Sequence, residues 1–385
     1  MQLRPPDHTP KILVLFSDTG GGHRSAAQAI IEALEEKHAG GFALDMVDVF
    51  KAYAPYPLNR MPDLYPEMVK LPNLWRLGYR MLDGRRRTDI VMDSVWPWVR
   101  PAAKQLVREH PADLVLCVHP LFSASVLRAL GKHHPPFITV VTDLITTPHY
   151  WFHRRVDVCV VPTEEVRQNA LKSGLTNSQV KLLGLPVGKK FLQPGNKNEI
   201  RQRLGWPLDR PMVLLVGGGE GMGPLYDTAQ NIANLNPEIG LSVIAGKNEK
   251  LKQRLESAEW KVPFFIYGFT TEMPSFMKAA DILVTKAGPG TISEALVTGL
   301  PMILYSRIPG QEDGNVRYVV EEGAGRWAPG AEKTAKAVRR WIIHPSFKES
   351  AAAACLRIAR PQAANDIADL LWQWLPQPGT ESLKS

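Results

Sequence analysis

The chain has 385 residues, 44% of them hydrophobic, enough for two domains with sizeable cores. Its net charge of +8 points to anionic partners such as a nucleotide, a nucleic acid or an acidic membrane surface, without choosing among them. Three scattered cysteines exclude a disulfide framework or a zinc site; Cys117 and Cys159 lie in apolar runs, as buried thiols of a reducing compartment do.

In chain order, the opening MQLRPPDHTPK lacks the apolar core of a signal peptide, and nowhere do 18 uninterrupted apolar residues occur. The expectation is a cytoplasmic chain that does not cross a membrane. KILVLF (11–16) reads as a strand, followed by SDTGGGHRSAA and a helix from about Ser25 to His38. The glycine turn lacks the Lys-Ser/Thr ending of a phosphate-binding P-loop and departs from G-x-G-x-x-G. As a bare turn it says little. His23, at a helix N-terminus above a parallel sheet, faces the ligand crevice, where the helix dipole keeps an imidazole neutral and able to act as a general base. A capping role is the alternative.

ALDMVDVF (43–50) is the next strand. Residues 71–109 then break the pattern, with Trp75, Trp96 and Trp98 among arginines that include Arg85, Arg86 and Arg87. Residues 76–109 hold 8 basic and 4 acidic side chains, an excess of 4. Aromatics beside arginines suit a lipid headgroup interface; the bland alternative is a solvated helical face with its aromatics in the core. No nucleic-acid motif accompanies the charge.

Further strands follow at 112–118, 137–143, 157–162 and 181–184, with a helix near 121–131. Residues 191–211, rich in Pro, Gly and charge, read as a linker with a short helix. A second set of strands begins at 211 and continues at 241–246, 264–269, 281–288 and 301–306. Uninterrupted apolar strands separated by helices indicate parallel sheets covered on both faces, so the fold class is α/β with two doubly wound, Rossmann-like domains. Ligands in such sheets bind beyond the carboxyl ends of the strands.

Two loops of the second set carry chemistry. VGGGEGMGP (216–224) supplies glycine amides, including those of Gly218, Gly219 and Gly221, for an anion such as a diphosphate. In TKAGPGTISEA (285–295), Gly288, Gly290 and Thr291 form the turn into a helix, and Glu294 in its first turn is placed to accept both hydroxyls of a ribose. A first-turn acid favoured by the helix dipole is the alternative reading of Glu294. Gln311, Glu312 and Asn315 in PGQEDGNV crowd polar groups onto one loop, as sugar hydroxyls require.

Together SDTGGGHRSAA, VTDL with WFH and VPTEEV, VGGGEGMG, TKAGPGTISEA and PGQEDGNV resemble the monogalactosyldiacylglycerol synthases and bacterial diacylglycerol glucosyltransferases of glycosyltransferase family 28. The resemblance spans residues 11–330. It implies a GT-B fold, two domains facing across a cleft, with an acceptor and membrane-docking domain over 1–190, a UDP-sugar domain over 191–355, and a helix within 356–385 returning to the first domain. It implies an inverting transfer of galactose or glucose from a UDP-hexose to diacylglycerol at an anionic membrane, to which the protein binds peripherally. No cofactor is expected; the absence of Asp-x-Asp agrees with metal independence.

Carried over, His23 is the base that deprotonates the glycerol hydroxyl, with Gly21 and Gly22 beside it. His119 is the reserve base, and Asp143 would orient either imidazole or the acceptor. Trp151 matches a tryptophan tied in plant members to activation by anionic lipid. Glu294 would bind ribose, the glycines at 217–223 the diphosphate, Gln311, Glu312 and Asn315 the hexose and phosphate, and backbone around Tyr267 and Phe269 the uracil.

The alternative within the family is UDP-GlcNAc transfer of the peptidoglycan lipid-intermediate type. A nicotinamide oxidoreductase would want an intact G-x-G-x-x-G and an acid about twenty residues on. A UDP-GlcNAc epimerase shares the two-domain plan but transfers nothing to lipid. A non-catalytic binder of lipid or nucleic acid explains the charge and wastes both nucleotide loops.

Overall fold

Residues alternate along the first strand: Ile12, Val14 and Phe16 face one side of its sheet, Leu13 and Leu15 the other, and all five are buried. The computed structural model describes residues 9–19, 21–68 and 84–376. Twelve strands lie in two six-stranded parallel sheets. The first sheet holds β1 (Lys11–Phe16), β2 (Ala43–Asp48), β3 (Leu114–Cys117), β4 (Phe137–Val140), β5 (Val158–Val161) and β6 (Val180–Leu182), in the order β2-β1-β3-β4-β5-β6. The second holds β7 (Met212–Val216), β8 (Gly240–Ile244), β9 (Phe264–Tyr267), β10 (Ile282–Lys286), β11 (Met302–Ser306) and β12 (Gly325–Trp327), in the order β12-β11-β10-β7-β8-β9.

Strands β3, β4 and β5 are buried at every residue, which is why their sequences are apolar but for Thr139. Each sheet reverses its winding once, between β1 and β3 and between β7 and β10. Loops at the carboxyl ends of those pairs diverge and leave a crevice, the usual ligand position in such folds.

The chain divides into two compact units, one ending at Gly188 and resumed from Gln362, the other Lys189–Pro361. The boundaries expected at 190 and 355 move to 188 and 361 for a packing reason. Helix Pro345–Ile358 buries Ala351 and Cys355 in the second unit, with the Cys355 thiol on the Leu300 and Ala324 carbonyls. The last helix, Ala363–Trp374, packs on helix Gly22–His38 of the first unit. Trp372 stacks on His38 at 3.8 Å, Lys37 pairs with Asp369 at 2.7 Å, and Ile367, Ala368 and Leu371 join the core beneath Ile12 and Val14.

The stretch expected to be a linker is instead part of the second unit, as helices Lys189–Leu192 and Lys197–Leu204. Arg201 is buried, donating to the Ala279 carbonyl at 2.8 Å and to Asp281 Oδ2 at 2.5 Å. Its partners lie about 80 residues away, which leaves the local composition looking like a linker. All three cysteines are buried, and burial pushes their thiols up to about 11 for Cys117 and about 12 for Cys159 and Cys355. Among the described residues no helix is long and apolar enough to cross a membrane.

Candidate functional site

The first crevice is built by the turns after β1, β3 and β4. Gly21 is the N-cap of helix Gly22–His38 with φ +78°, a left-handed conformation that glycine adopts without strain. Both Gly21 and Gly22 are exposed. The turn is pinned from its start: Arg24 grips Asp18 through two hydrogen bonds of 2.6 and 2.7 Å, and Lys51 adds a third at 3.2 Å. These cations, Arg24 foremost, hold the Asp18 carboxyl below its ordinary range.

His23 is the second residue of that helix. Its Nδ1 lies 2.8 Å from the Val118 carbonyl and 2.8 Å from Thr142 Oγ1. A carbonyl can only accept, so the ring proton sits on Nδ1 and Nε2 carries the lone pair. The side chain is half-buried, and the protein packed around it lowers its pKa to about 4, against the opposing effect of the Val118 bond. Burial, rather than the helix dipole expected from the sequence, is the main cause. At neutral pH the imidazole is therefore uncharged, with its proton on Nδ1 and no hydrogen bond to Nε2 among the described residues.

His119 lies against it, ring centroids 4.6 Å apart, and is unsuited to the reserve role. Its Nδ1 accepts from the Leu121 amide at 3.4 Å, and Nε2 meets Thr19 Oγ1 at 3.2 Å, so both nitrogens are engaged. The ring is buried between Phe122, stacked at 4.3 Å, and Phe50, edge-on at 5.4 Å. Burial, then the neighbouring His23, keeps it neutral well below the ordinary histidine range. It is a packing and positioning residue.

Two further expectations change. Trp151 is fully buried with its ring 6.3 Å from His23, so it presents no surface to a bilayer. Its indole N–H donates to Asp143 Oδ2 at 2.7 Å. The orientation of the imidazole expected of Asp143 falls to its neighbour Thr142 and to Val118. Of the membrane candidates, Trp75 lies outside the described residues. Trp96 is half-buried beneath the Arg128 guanidinium, 5.5 Å from its ring centroid, because it lines an apolar cavity. Arg85, Arg86 and Arg87, in the first turn of helix Arg85–Glu109, are exposed, as are Ile90 and Trp98 farther along it.

The second crevice lies between the turns after β7 and β10. Gly221 has φ +60°, and a Cβ there would come within 2.0 Å of the Ala245 carbonyl oxygen, so no other residue fits without moving the loop. The turn is held by bonds from the Gly221 amide to the Gly218 carbonyl and from the Lys247 amide to the Gly219 carbonyl. Tyr305 secures its far side by donating to the Met222 carbonyl at 3.1 Å. Helix Pro289–Thr298 presents the amides of Gly290 and Thr291 in its first turn, with Gly288 as its N-cap.

Lys286, at the end of β10, stands between the two glycine turns: its Cε lies 3.1 Å from where a Cβ on Gly218 would be, and its Nζ 3.0 Å from the corresponding point on Gly288. Sequence reasoning passed over it as the last residue of a strand. A lysine ending an otherwise apolar strand beside AGPG was the signal available. Glu312, 2% exposed, binds Lys286 Nζ through Oε1 at 2.7 Å and accepts from the Ile308 amide through Oε2 at 2.7 Å. Both oxygens of Glu312 thus hold the lysine and fold its own loop, and any contact with a sugar would be additional to these. Gln311 Oε1 and Asn315 Oδ1 differ: both are buried without a partner among the described residues, and Asn315 Nδ2 is fixed on the Ala287 carbonyl at 2.9 Å. Buried acceptors are rarely left unpaired, and these suit hydroxyl donors.

Glu294 is half-buried, no hydrogen bond to its carboxylate is found among the described residues, and burial raises its pKa to about 7. Phe269 is 66% exposed beside the glycine turn, where a Cβ on Gly219 would lie 4.0 Å from its ring, and Lys247 Nζ is 5.7 Å from its centroid. The Tyr267 side chain points elsewhere, accepting from the Trp206 indole at 3.1 Å and packing on Phe276. The second crevice therefore combines unshielded amides, a buried cation, a lone carboxylate and an exposed aromatic face. Such groups can receive an anion.

Comparison with known proteins gives the family and the fold. The profile of the monogalactosyldiacylglycerol (MGDG) synthase family matches residues 23–187, and that of the glycosyltransferase family 28 C-terminal domain matches residues 212–370. A probable chloroplastic monogalactosyldiacylglycerol synthase of Glycine max is 40% identical over 387 residues, covering 95% of this chain and 73% of its own. Monogalactosyldiacylglycerol synthase 3 of Arabidopsis thaliana is 40% identical over 369 residues, covering 92% and 79%. Among solved structures, MurG of Acinetobacter baumannii superposes with a TM-score of 0.61 at 13% identity, over 94% of this chain and 100% of that one. WaaG, a glycosyltransferase of lipopolysaccharide biosynthesis, gives 0.57 at 14% identity, over 93% and 99%. The fold is GT-B, and the chain belongs to the monogalactosyldiacylglycerol synthase family of glycosyltransferases.

Proposed function

We propose that the protein transfers a hexose, galactose by the names of its relatives, from a UDP-sugar to the free hydroxyl of diacylglycerol with inversion at the anomeric carbon. The observation that carries this reading is the fixed tautomer of His23, whose Nε2 has no hydrogen bond among the described residues, in the unit that also holds an apolar cavity lined by the Phe50 and Phe122 rings packed on His119. The acceptor oxygen bonds to C1 of the sugar, the bond from C1 to the β-phosphate oxygen breaks, the hydroxyl proton passes to His23 Nε2, and UDP departs. A single base and a single displacement invert the centre. An imidazole with a pKa of about 4 is a weak base, so it takes the proton as the new bond forms rather than beforehand.

On the donor side, Lys286 and the amides of the two glycine turns are assigned to the charge that develops on departing UDP, which is the role we propose in place of a divalent metal. Glu294 takes the ribose hydroxyls, Gln311 and Asn315 the hexose, and the Phe269 region the uracil. Transfer from UDP-GlcNAc to a peptidoglycan intermediate has only the fold likeness to MurG behind it. We place the protein peripherally on anionic lipid through Arg85, Arg86 and Arg87. Three cations in the first turn of a helix oppose its dipole, and lipid phosphates would offset that cost.

With diacylglycerol in anionic vesicles and EDTA present, UDP-galactose should give a β-galactosyl diacylglycerol, and UDP-glucose supplied separately tests the choice of hexose. His23→Ala should lower kcat by roughly 10²–10⁴-fold with donor binding unchanged. Near-normal turnover in that variant would remove His23 from the chemistry.

The donor should bind more tightly as pH rises through about 7, because ribose hydroxyls donate to ionised Glu294 and binding must first expel its proton. Calorimetric titration with UDP-galactose in buffers of different ionisation enthalpy should detect proton release near pH 7. Glu294→Gln should abolish it; if the inflection survives in that variant, another group is responsible.

Arg85→Glu, Arg86→Glu and Arg87→Glu combined should weaken sedimentation with anionic vesicles and leave UDP binding intact. Undiminished sedimentation would return this turn to an ordinary solvated face.

A further inference from the structure

Helices Val49–Tyr53, Arg85–Glu109 and Ser123–Leu130 enclose an apolar chamber of about 210 Å³ in the first unit. Val95, Val99 and Leu106 of the long helix form one wall, and Phe50 and Phe122 another. Those two rings are the ones that clamp His119, which in turn touches His23, so the phenylalanine pair and then His119 stand between the chamber and the base. Val126, one helical turn beyond Phe122 and 1% exposed, also lines a second chamber of about 220 Å³ together with Leu13, Val107 and Leu130. Tyr53 lines the first chamber and His110 the second. Their hydrogen bond, 2.9 Å from the phenol oxygen to Nε2, ties the walls together, with His110 Nδ1 anchored on Asp45 at 2.6 Å.

Well-packed interiors do not keep apolar space of this size without cost, since unfilled volume forfeits dispersion contacts and burial. Apolar voids stay dry and bind apolar ligands. We propose that the first chamber receives one acyl chain of the acceptor, and that Val126 is the partition that sets the chain length accepted. This rests on the reading of diacylglycerol as acceptor. The ester end lies toward Phe50 and Phe122, nearest the base, and the chain runs along Val95 and Val99. Selection then follows from burial: each methylene that finds room contributes about a fourfold preference, and each that is displaced loses as much.

Two substitutions move the walls in opposite senses. Ala103, which is buried and lines the chamber, becomes an obstruction in Ala103→Leu, while Val126→Ala opens the first chamber toward the second. In direct competition between dioctanoylglycerol and dipalmitoylglycerol in mixed micelles, Ala103→Leu should shift the product ratio toward the short chains by roughly tenfold. Val126→Ala should shift it toward the long chains. A ratio of turnovers within one sample is insensitive to loss of folded protein. As a readout independent of turnover, binding of a fluorescent polyene fatty acid to the full chain should weaken in Ala103→Leu, while UDP binding in the other unit stays constant. Wild-type product ratios and wild-type probe binding in both variants overturn the chamber assignment. If the unaltered protein glycosylates no diacylglycerol but the probe still responds to Ala103→Leu, the acceptor reading fails instead, and the chamber stands as a site for an apolar chain alone.

Discussion

The hydrogen bond from His23 Nδ1 to the Val118 carbonyl is the constraint on which the first unit's chemistry depends. It fixes which ring nitrogen carries the proton, and it exists because β1 and β3 are neighbours at the point where the sheet reverses. With Leu15 opposite Cys117, the residues just past each strand end meet. Thr142, beyond β4, completes the clamp. Parallel strands wound in both directions from one point thus bring together three turns from separate parts of the chain. The buried His119, Phe50, Phe122 and Trp151 then supply the low-polarity surroundings that keep the imidazole neutral.

The second unit solves a different electrostatic problem with the same topology. Its crevice keeps a lysine by burying the counter-charge behind it. Glu312 is sealed from solvent by Lys286 and the Ile308 amide. Removing one partner of such a buried pair typically costs several kcal/mol, because the other is left uncompensated. Glu294 is the opposite case, a carboxylate raised to about 7 because nothing in the described residues compensates its burial. One acid is tied into the structure, and the other has no hydrogen bond among the described residues.

The fold was legible in the sequence because fully buried parallel strands must be largely apolar, and β3, β4, β5, β7 and β8 are, with Thr139 and Ser242 the polar exceptions. His23 was legible too, since a strand, a glycine turn and a helix in succession place the second helical residue at the crevice. What stayed hidden involves pairs distant in sequence. Thr142 is 119 residues from His23 and Asp281 is 80 from Arg201, and no local pattern announces either contact. Glu312 sits among Gln311 and Asn315, and only the 26-residue step back to Lys286 reveals its ion pair. Trp151 and Trp96 mislead for a related reason: tryptophan serves interfaces and cores equally well, and burial alone separates the two uses.

The central claim is that His23 rests as a neutral imidazole protonated on Nδ1, with Nε2 as the proton acceptor. Nitrogen-15 spectra of the histidine side chains, with His23 assigned by comparison with His23→Ala, test it directly. The account predicts a protonated Nδ1 and an unprotonated Nε2 from about pH 8 down to about pH 5, with the cation forming only near pH 4. A ring protonated on Nε2, or one that titrates near the ordinary histidine value of about 6.5, would contradict it.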